Sequence, residues 1–134
     1  MEFKDLEKLV LEWAKNKDLL HEENAEKQFL KFMEEVFEFR DEWLLYINYC
    51  NKHDYSESYV DMEITKYIRN MVCEMGDIFV TLIILCDQLN MDPINCLARA
   101  YEKIKDRKGK TINGIFVKEE DLKDVEEWKT HWEI

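Results

Sequence analysis

The segment from Met71 to Cys86 constrains this chain most strongly, because it is apolar throughout except for Gly76, Thr81 and two acids, Glu74 and Asp77. A helix of that composition is expected to be buried. Burying two carboxylates is costly unless a cation or a set of donors compensates them. Residues three apart share one helix face, so Glu74 and Asp77 are expected to point into the interior together. Two explanations fit this pattern. Either the pair holds a hard divalent cation, which takes carboxylate, water and phosphate oxygens, or a basic side chain such as Lys66 or Arg69 forms a structural ion pair with it.

A second acidic pattern, Glu34-Glu35-x-x-Glu38, lies upstream. Taken alone it reads as a solvated stripe, since Asp41 and Glu42 extend the charge. Glu35 and Glu38 nevertheless have the same i, i+3 spacing as Glu74 and Asp77. Two such pairs facing each other would make an oxygen-rich site.

Around these motifs the hydrophobic spacing is helical. Phe3, Leu6, Leu9, Val10 and Trp13 open the chain with an amphipathic helix. Residues 16–24 form a polar break, with Asn24 a candidate cap for the helix that follows. That second helix carries Phe29, Phe32, Met33, Val36 and Phe37 and is expected to reach about Tyr49. Residues 51–58 read as a loop. A third helical stretch runs through Ile64, Ile68 and Val72 to about Asn90, with continuity near Asn70 left open. Asp92-Pro93 is a helix start, with Pro at the first helical position. Ile94, Leu97, Ala98, Tyr101 and Ile104 form the expected buried stripe of the fourth helix. Asn113-Gly114 between Ile112 and Ile115 predicts a tight turn or small hairpin. Leu122, Val125, Trp128 and Trp132 suggest a last amphipathic helix.

The chain of 134 residues is long enough for one domain with its own core. One Pro and three Gly speak against a loop-rich β fold, so the expected class is all-α, a bundle of four to five main helices. A net charge of -11 opposes nucleic-acid polymers and anionic membranes. It leaves free nucleotides possible, because magnesium bridges phosphates to carboxylates. Cys50, Cys73, Cys86 and Cys96 lack zinc spacing and read mostly as small core residues of a reducing compartment. The N-terminus has no apolar leader, and the longest apolar stretch is too short for a bilayer, so a cytoplasmic location is expected.

The chemistry narrows by elimination. There is no glycine-rich phosphate loop and no nucleophile elbow. His21, His53 and His131 do not follow a Glu at the di-iron spacing. Carboxylates remain, together with a basic strip of Lys103, Lys105, Arg107, Lys108 and Lys110. One or two of these suit a helix C-terminus; five suggest a phosphate clamp, with Arg107 offering bidentate geometry.

These residues carry a family resemblance that runs from about Leu9 to Leu122. Its parts are Trp13-Ala14, Gln28-Phe29-Leu30-Lys31 leading into Glu34-Glu35-x-x-Glu38, and Glu74-x-Gly76-Asp77-Ile78 followed by Val80-Thr81-Leu82-Ile83. Downstream come Ala100 through Gly109 and Asn113-Gly114-Ile115-Phe116-Val117-Lys118. In these segments the chain resembles the MazG-like all-α nucleoside triphosphate pyrophosphohydrolases. The resemblance implies magnesium-dependent cleavage (manganese as a substitute) of a nucleoside triphosphate into monophosphate and pyrophosphate by a homodimer or homotetramer. It implies Glu35, Glu38, Glu74 and Asp77 as metal ligands, with Glu34, Glu35 and Glu38 as the catalytic set. Glu34 would orient water or hold a further ion, and Lys105, Arg107, Lys108 and Trp13 would contact substrate. The chain departs from the family at Phe37, where a small residue is usual, and in an added segment around Asn51 to Glu63. The rival expectation is a non-catalytic acidic helical module that binds a protein partner.

Overall fold

The computed structural model describes residues 1–52 and 62–122, and in them the chain is mostly helical. Helix α1 spans Phe3–Asn16, a 3-10 turn spans Glu22–Asn24, and α2 spans Ala25–Lys52. Helices α3 (Met62–Gln88) and α4 (Pro93–Ile104) follow, then strands β1 (Gly109–Ile112) and β2 (Ile115–Lys118). The all-α expectation holds, together with the small hairpin expected at Asn113-Gly114. No helix among the described residues is long and apolar enough to cross a membrane. The chain divides into two compact units, Met1–Pro93 and Ile94–Ile134.

In the first unit, helix ends are set by local chemistry. The Glu2 amide donates to Asp5 Oδ2 at 3.1 Å and ties the first turn of α1. At its other end Asp18 takes a left-handed conformation, φ 59°, while the Leu19 amide reaches back to the Ala14 carbonyl. Helix α3 ends the same way, with Asn90 at φ 55° and the Met91 amide on the Cys86 carbonyl. Both are left-handed helix caps built on short polar residues. Asn24 belongs to the 3-10 turn that feeds α2. Asn51 and Lys52, expected in a loop, lie in α2; residues 53–58 lie outside those described. Helix α3 is continuous through Asn70.

Helices α2 and α3 pack antiparallel along much of their length, with a tilted Tyr49–Tyr67 ring contact at one end and a Gln28–Thr81 hydrogen bond near the other. Helix α1 lies beside α3 and runs parallel to it. Phe3 meets the Phe79 ring edge-on at 6.5 Å, and Glu7 and Leu11 line a hollow with Ile83 and Asp87. The register means that α1 covers α3 only from about Phe79 onward.

This limited cover revises two burial expectations. The buried apolar residues are Ala14, Ile83, Ile84 and Cys86, all where α1 and the C-terminal half of α3 lie together. Upstream, Val72 is 66 % exposed, and Ile68, Met75 and Phe79 are also exposed. Among the described residues, the apolar helix around Glu74 is therefore open along one side, with α2 packed against the other. Among the cysteines Cys86 is buried and Cys50 half-buried, but Cys73 and Cys96 are exposed, so most are not core residues.

In the second unit, Asp92-Pro93 does begin α4. Its apolar stripe, however, is not buried: Leu97, Ala98, Tyr101 and Ile104 are exposed. The unit is too small to enclose them within its described residues. The hairpin forms as expected. Asn113 (φ 52°) and Gly114 (φ 79°) make the two-residue turn, and Gly109 pairs with Lys118. Two successive positive φ values match the twist of the strands, which is why Asn-Gly suits this position. Val125, Trp128 and Trp132, expected in a last helix, lie outside the described residues.

Candidate metal centre

The antiparallel packing of α2 on α3 sets the acidic motifs opposite each other. Gln28 Nε2 donates to the Thr81 carbonyl at 3.3 Å, which fixes the register. One turn from Thr81 lies Asp77, and two turns from Gln28 lies Glu35. Thr81 Oγ1 donates to the carbonyls of Ile78 (2.9 Å) and Asp77 (3.1 Å), so the α3 turn beside the carboxylates is braced by its own hydroxyl.

One oxygen each from Glu35, Glu74 and Asp77 lies within 4.8 Å of the others. Glu35 is 7 % exposed, Glu74 is half-buried and Asp77 is exposed. The expectation that Glu74 and Asp77 both point into the interior is therefore corrected. The group grades from the buried Glu35 through the half-buried Glu74 to the exposed Asp77. Glu35 Oε2 and Glu74 Oε2 are both shielded from solvent without a hydrogen-bond partner. Leaving such oxygens unmatched is costly, and a cation among the three carboxylates would relieve that cost.

Glu38 stands beside this three-oxygen group and not within it. It is exposed, and its carboxyl is held above the ordinary 4.5, mainly by the charge of Glu35. Partial desolvation, a hydrogen bond with Glu35 and the charges of Glu74 and Glu34 act in the same direction. Glu74 is also raised above 4.5, first by desolvation and then by the charges of Asp77, Glu35 and Glu42, with a hydrogen bond from Glu38 opposing. Mutual repulsion among these carboxylates thus contributes to both shifts.

The cation that does approach is Lys31, not Lys66 or Arg69. Its Nζ lies 3.0 Å from Glu35 Oε1 and 3.2 Å from Glu34 Oε2, and these contacts raise its own pKa, Glu35 contributing most. The ion pairs of the described residues give Glu74 and Asp77 no basic partner. Glu34 is exposed, paired with Lys31, and not a member of the three-oxygen group.

Trp13 lies ten residues beyond Phe3 on α1, about 15 Å along the helix at 1.5 Å per residue. Because Phe3 already sits at Phe79, Trp13 falls toward the C-terminal end of α3, away from Asp77 and Glu74. Lys105, Arg107 and Lys108 belong to the second unit. There Lys105 Nζ pairs with Glu102 at 2.7 Å, and Arg107 and Lys108 border a mixed-charge hollow with Asp106, Lys118, Glu119 and Glu120.

Four residues beside the carboxylates had no site role assigned from the sequence: Gln28, Lys31, Glu42 and Asn70. Glu42 accepts a hydrogen bond from Asn70 Nδ2 at 3.2 Å. Glu42 could have been found from its spacing, seven residues after Glu35 and thus on the same helix face, and Lys31 from its i, i+4 relation to Glu35. Gln28 and Asn70 act only through the packing of α2 on α3.

A donor set of three carboxylate oxygens, one deeply shielded and unmatched, fits a hard divalent cation such as Mg2+ or Mn2+. No protein-family model, curated protein or solved structure matches the chain.

Proposed function

We propose that this chain is a magnesium-dependent nucleoside triphosphate pyrophosphohydrolase of the MazG-like all-α kind, releasing a monophosphate and pyrophosphate. The observation that carries the reading is the Glu35, Glu74 and Asp77 oxygen group with its shielded, unmatched Glu35 oxygen.

Glu35, Glu74 and Asp77 would hold the cation, with Glu38 at the edge of the same group. When bound, the ion supplies charge neutralisation on the phosphates and acidification of a coordinated water. Lys31 holds Glu35 Oε1, and the buried Oε2, with no hydrogen-bond partner, would be the oxygen offered to the ion. Glu38, raised toward its protonated form in the metal-free chain, is placed to take up or release a proton as the group loads. Lys105, Arg107 and Lys108 are the candidates for phosphate contact, since an arginine fork and lysine ammonium groups suit phosphate oxygens. The working form is a homodimer or homotetramer in the cytoplasm. Its support is the open apolar stripe Ile68, Val72, Met75 and Phe79 on α3, at coiled-coil spacing.

The same stripe favours a second reading, a non-catalytic acidic helical module whose open face binds another protein. One experiment separates the two. Incubated with magnesium and a panel of nucleoside triphosphates, the protein should release pyrophosphate and monophosphate, and Glu74→Gln should not. Oxygen-18 from water should appear in the monophosphate. Orthophosphate with a diphosphate overturns the reaction assigned, and inactivity toward every nucleotide favours the interaction module.

A further inference from the structure

Glu35 is the buried member of the carboxylate group, and its two oxygens stand in different circumstances. Oε1 accepts from Lys31 Nζ at 3.0 Å, while Oε2 is shielded from solvent and has no hydrogen-bond partner. The same ammonium reaches Glu34 Oε2 at 3.2 Å, so Lys31 spans two neighbouring side chains of α2. Helix stability gives little reason for the contact with Glu35. A lysine four residues before its glutamate is the less favourable order for a pair on one helix.

The contact has a specific consequence for a bound cation. A carboxylate can meet a cation through one oxygen or clamp it with both. Clamping by Glu35 would bring the dication onto an oxygen that already carries an ammonium, and two positive charges repel most strongly where water is excluded. Oε2 is then the oxygen left to bind, and it binds alone. Calcium readily takes two-oxygen carboxylates into a flexible shell of about six to eight oxygens. Magnesium demands a near-octahedral shell and keeps several waters, so single-oxygen ligands suit it.

We propose that Lys31 is a specificity-determining residue of the cation site, holding Glu35 to single-oxygen binding and so favouring Mg2+ or Mn2+ over Ca2+. The proposal rests on the reading of Glu35, Glu74 and Asp77 as that site. The ion pairs of the described residues give Glu74 and Asp77 no such restraint, so the choice is exerted at Glu35.

Metal competition on the full chain tests this without any nucleotide. Mn2+ is bound first, and Mg2+ or Ca2+ is added to displace it, with free Mn2+ read by electron paramagnetic resonance. Wild type should release Mn2+ at lower Mg2+ than Ca2+. Lys31→Met keeps an unbranched side chain and removes the charge. It should move the ratio of the two displacement constants toward Ca2+ by about tenfold, the lower end of the effect of losing an outer-shell partner. Lys31→Arg, which keeps a cation beside Oε1, should retain the wild-type ratio. Infrared spectra give an independent signature. Loading with Ca2+ should narrow the splitting between the two carboxylate stretches further in Lys31→Met than in wild type, as a two-oxygen clamp requires. Circular dichroism checks that each variant keeps its helices. Equal changes in both constants, with ratio and splitting as in wild type, overturn the proposal and leave the cation site standing. So does a Lys31→Arg variant that behaves as Lys31→Met. A wild-type chain that binds no Mn2+, or a Glu35→Gln variant that binds it undiminished, overturns the cation site itself.

Discussion

Shortening Val72 to Ala tests whether the open side of α3 is an interface between copies. Within one chain Val72 is 66 % exposed and its neighbour stripe is open, so losing its methyl groups should scarcely change the stability of a monomer. In a symmetric dimer the same change acts twice. Val→Ala removes roughly two methylene equivalents, each about 0.8 kcal/mol when fully buried. About two-thirds of that remains to be buried on assembly, so each copy loses about 1 kcal/mol and the dimer about 2 kcal/mol. At about 1.4 kcal/mol per tenfold, this weakens association by about 30-fold. Sedimentation equilibrium over a concentration series gives both dissociation constants, and urea unfolding at a concentration where each is monomeric gives the intrinsic change. A wild-type chain that stays monomeric at high concentration refutes the argument. So does a Val72→Ala variant with an unchanged dissociation constant, which would move the interface to another face, such as that carrying Leu30, Phe37 and Leu44 on α2.

The crowded carboxylates make a signed pH prediction for the metal-free protein. Glu38 and Glu74 are raised above 4.5 in the folded chain, so between 4.5 and those raised values the folded state holds more protons than the unfolded. Stability should therefore fall as pH rises through that window. Urea midpoints measured from pH 4.5 upward read this directly: Glu74→Gln should flatten the decline, saturating magnesium should reverse it, and a rise with pH in the metal-free wild type refutes the reasoning. In the hairpin, Gly109→Ala places a Cβ against the Val117 carbonyl oxygen and the Phe116 ring. It should cost about 1–3 kcal/mol locally. Loss of cross-strand contacts between Thr111 and Phe116 in NMR spectra, with α2 and α3 unchanged, is the expected result, and an intact hairpin counts against the close approach.

Helix periods, the Asp92-Pro93 start and the Asn113-Gly114 turn were legible because each rests on a rule local to a few residues. The facing of Glu35 toward Glu74 and Asp77 was legible too, from i, i+3 spacing and the cost of unmatched carboxylates. Burial was not, because it depends on which neighbour covers which length of helix. An apolar segment such as Met71–Phe79 reads as core from composition, yet α1 begins its contact only at Phe79. The α4 stripe fails for the same reason: amphipathic spacing names the face to be covered and is silent about what covers it. Asn70 and Gln28 were invisible because their roles arise from the register between α2 and α3, which no single-helix pattern encodes.

The partial cover of α3 by α1 also divides that helix into two stability regimes. Amides after Phe79, beneath α1 and around Ile83 and Ile84, should open to solvent only near global unfolding. Amides from Met62 to about Met75 are supported, among the described residues, by α2 and should exchange through smaller, more frequent openings. Asp77 lies at the seam between these regimes and Glu74 just inside the looser one. A cation gripping both would splice the soft half of α3 to the firm half through Glu35. Hydrogen exchange should then slow upstream of Glu74 far more than downstream of Phe79, so that loading the centre reads out as a change in the cooperative length of one helix.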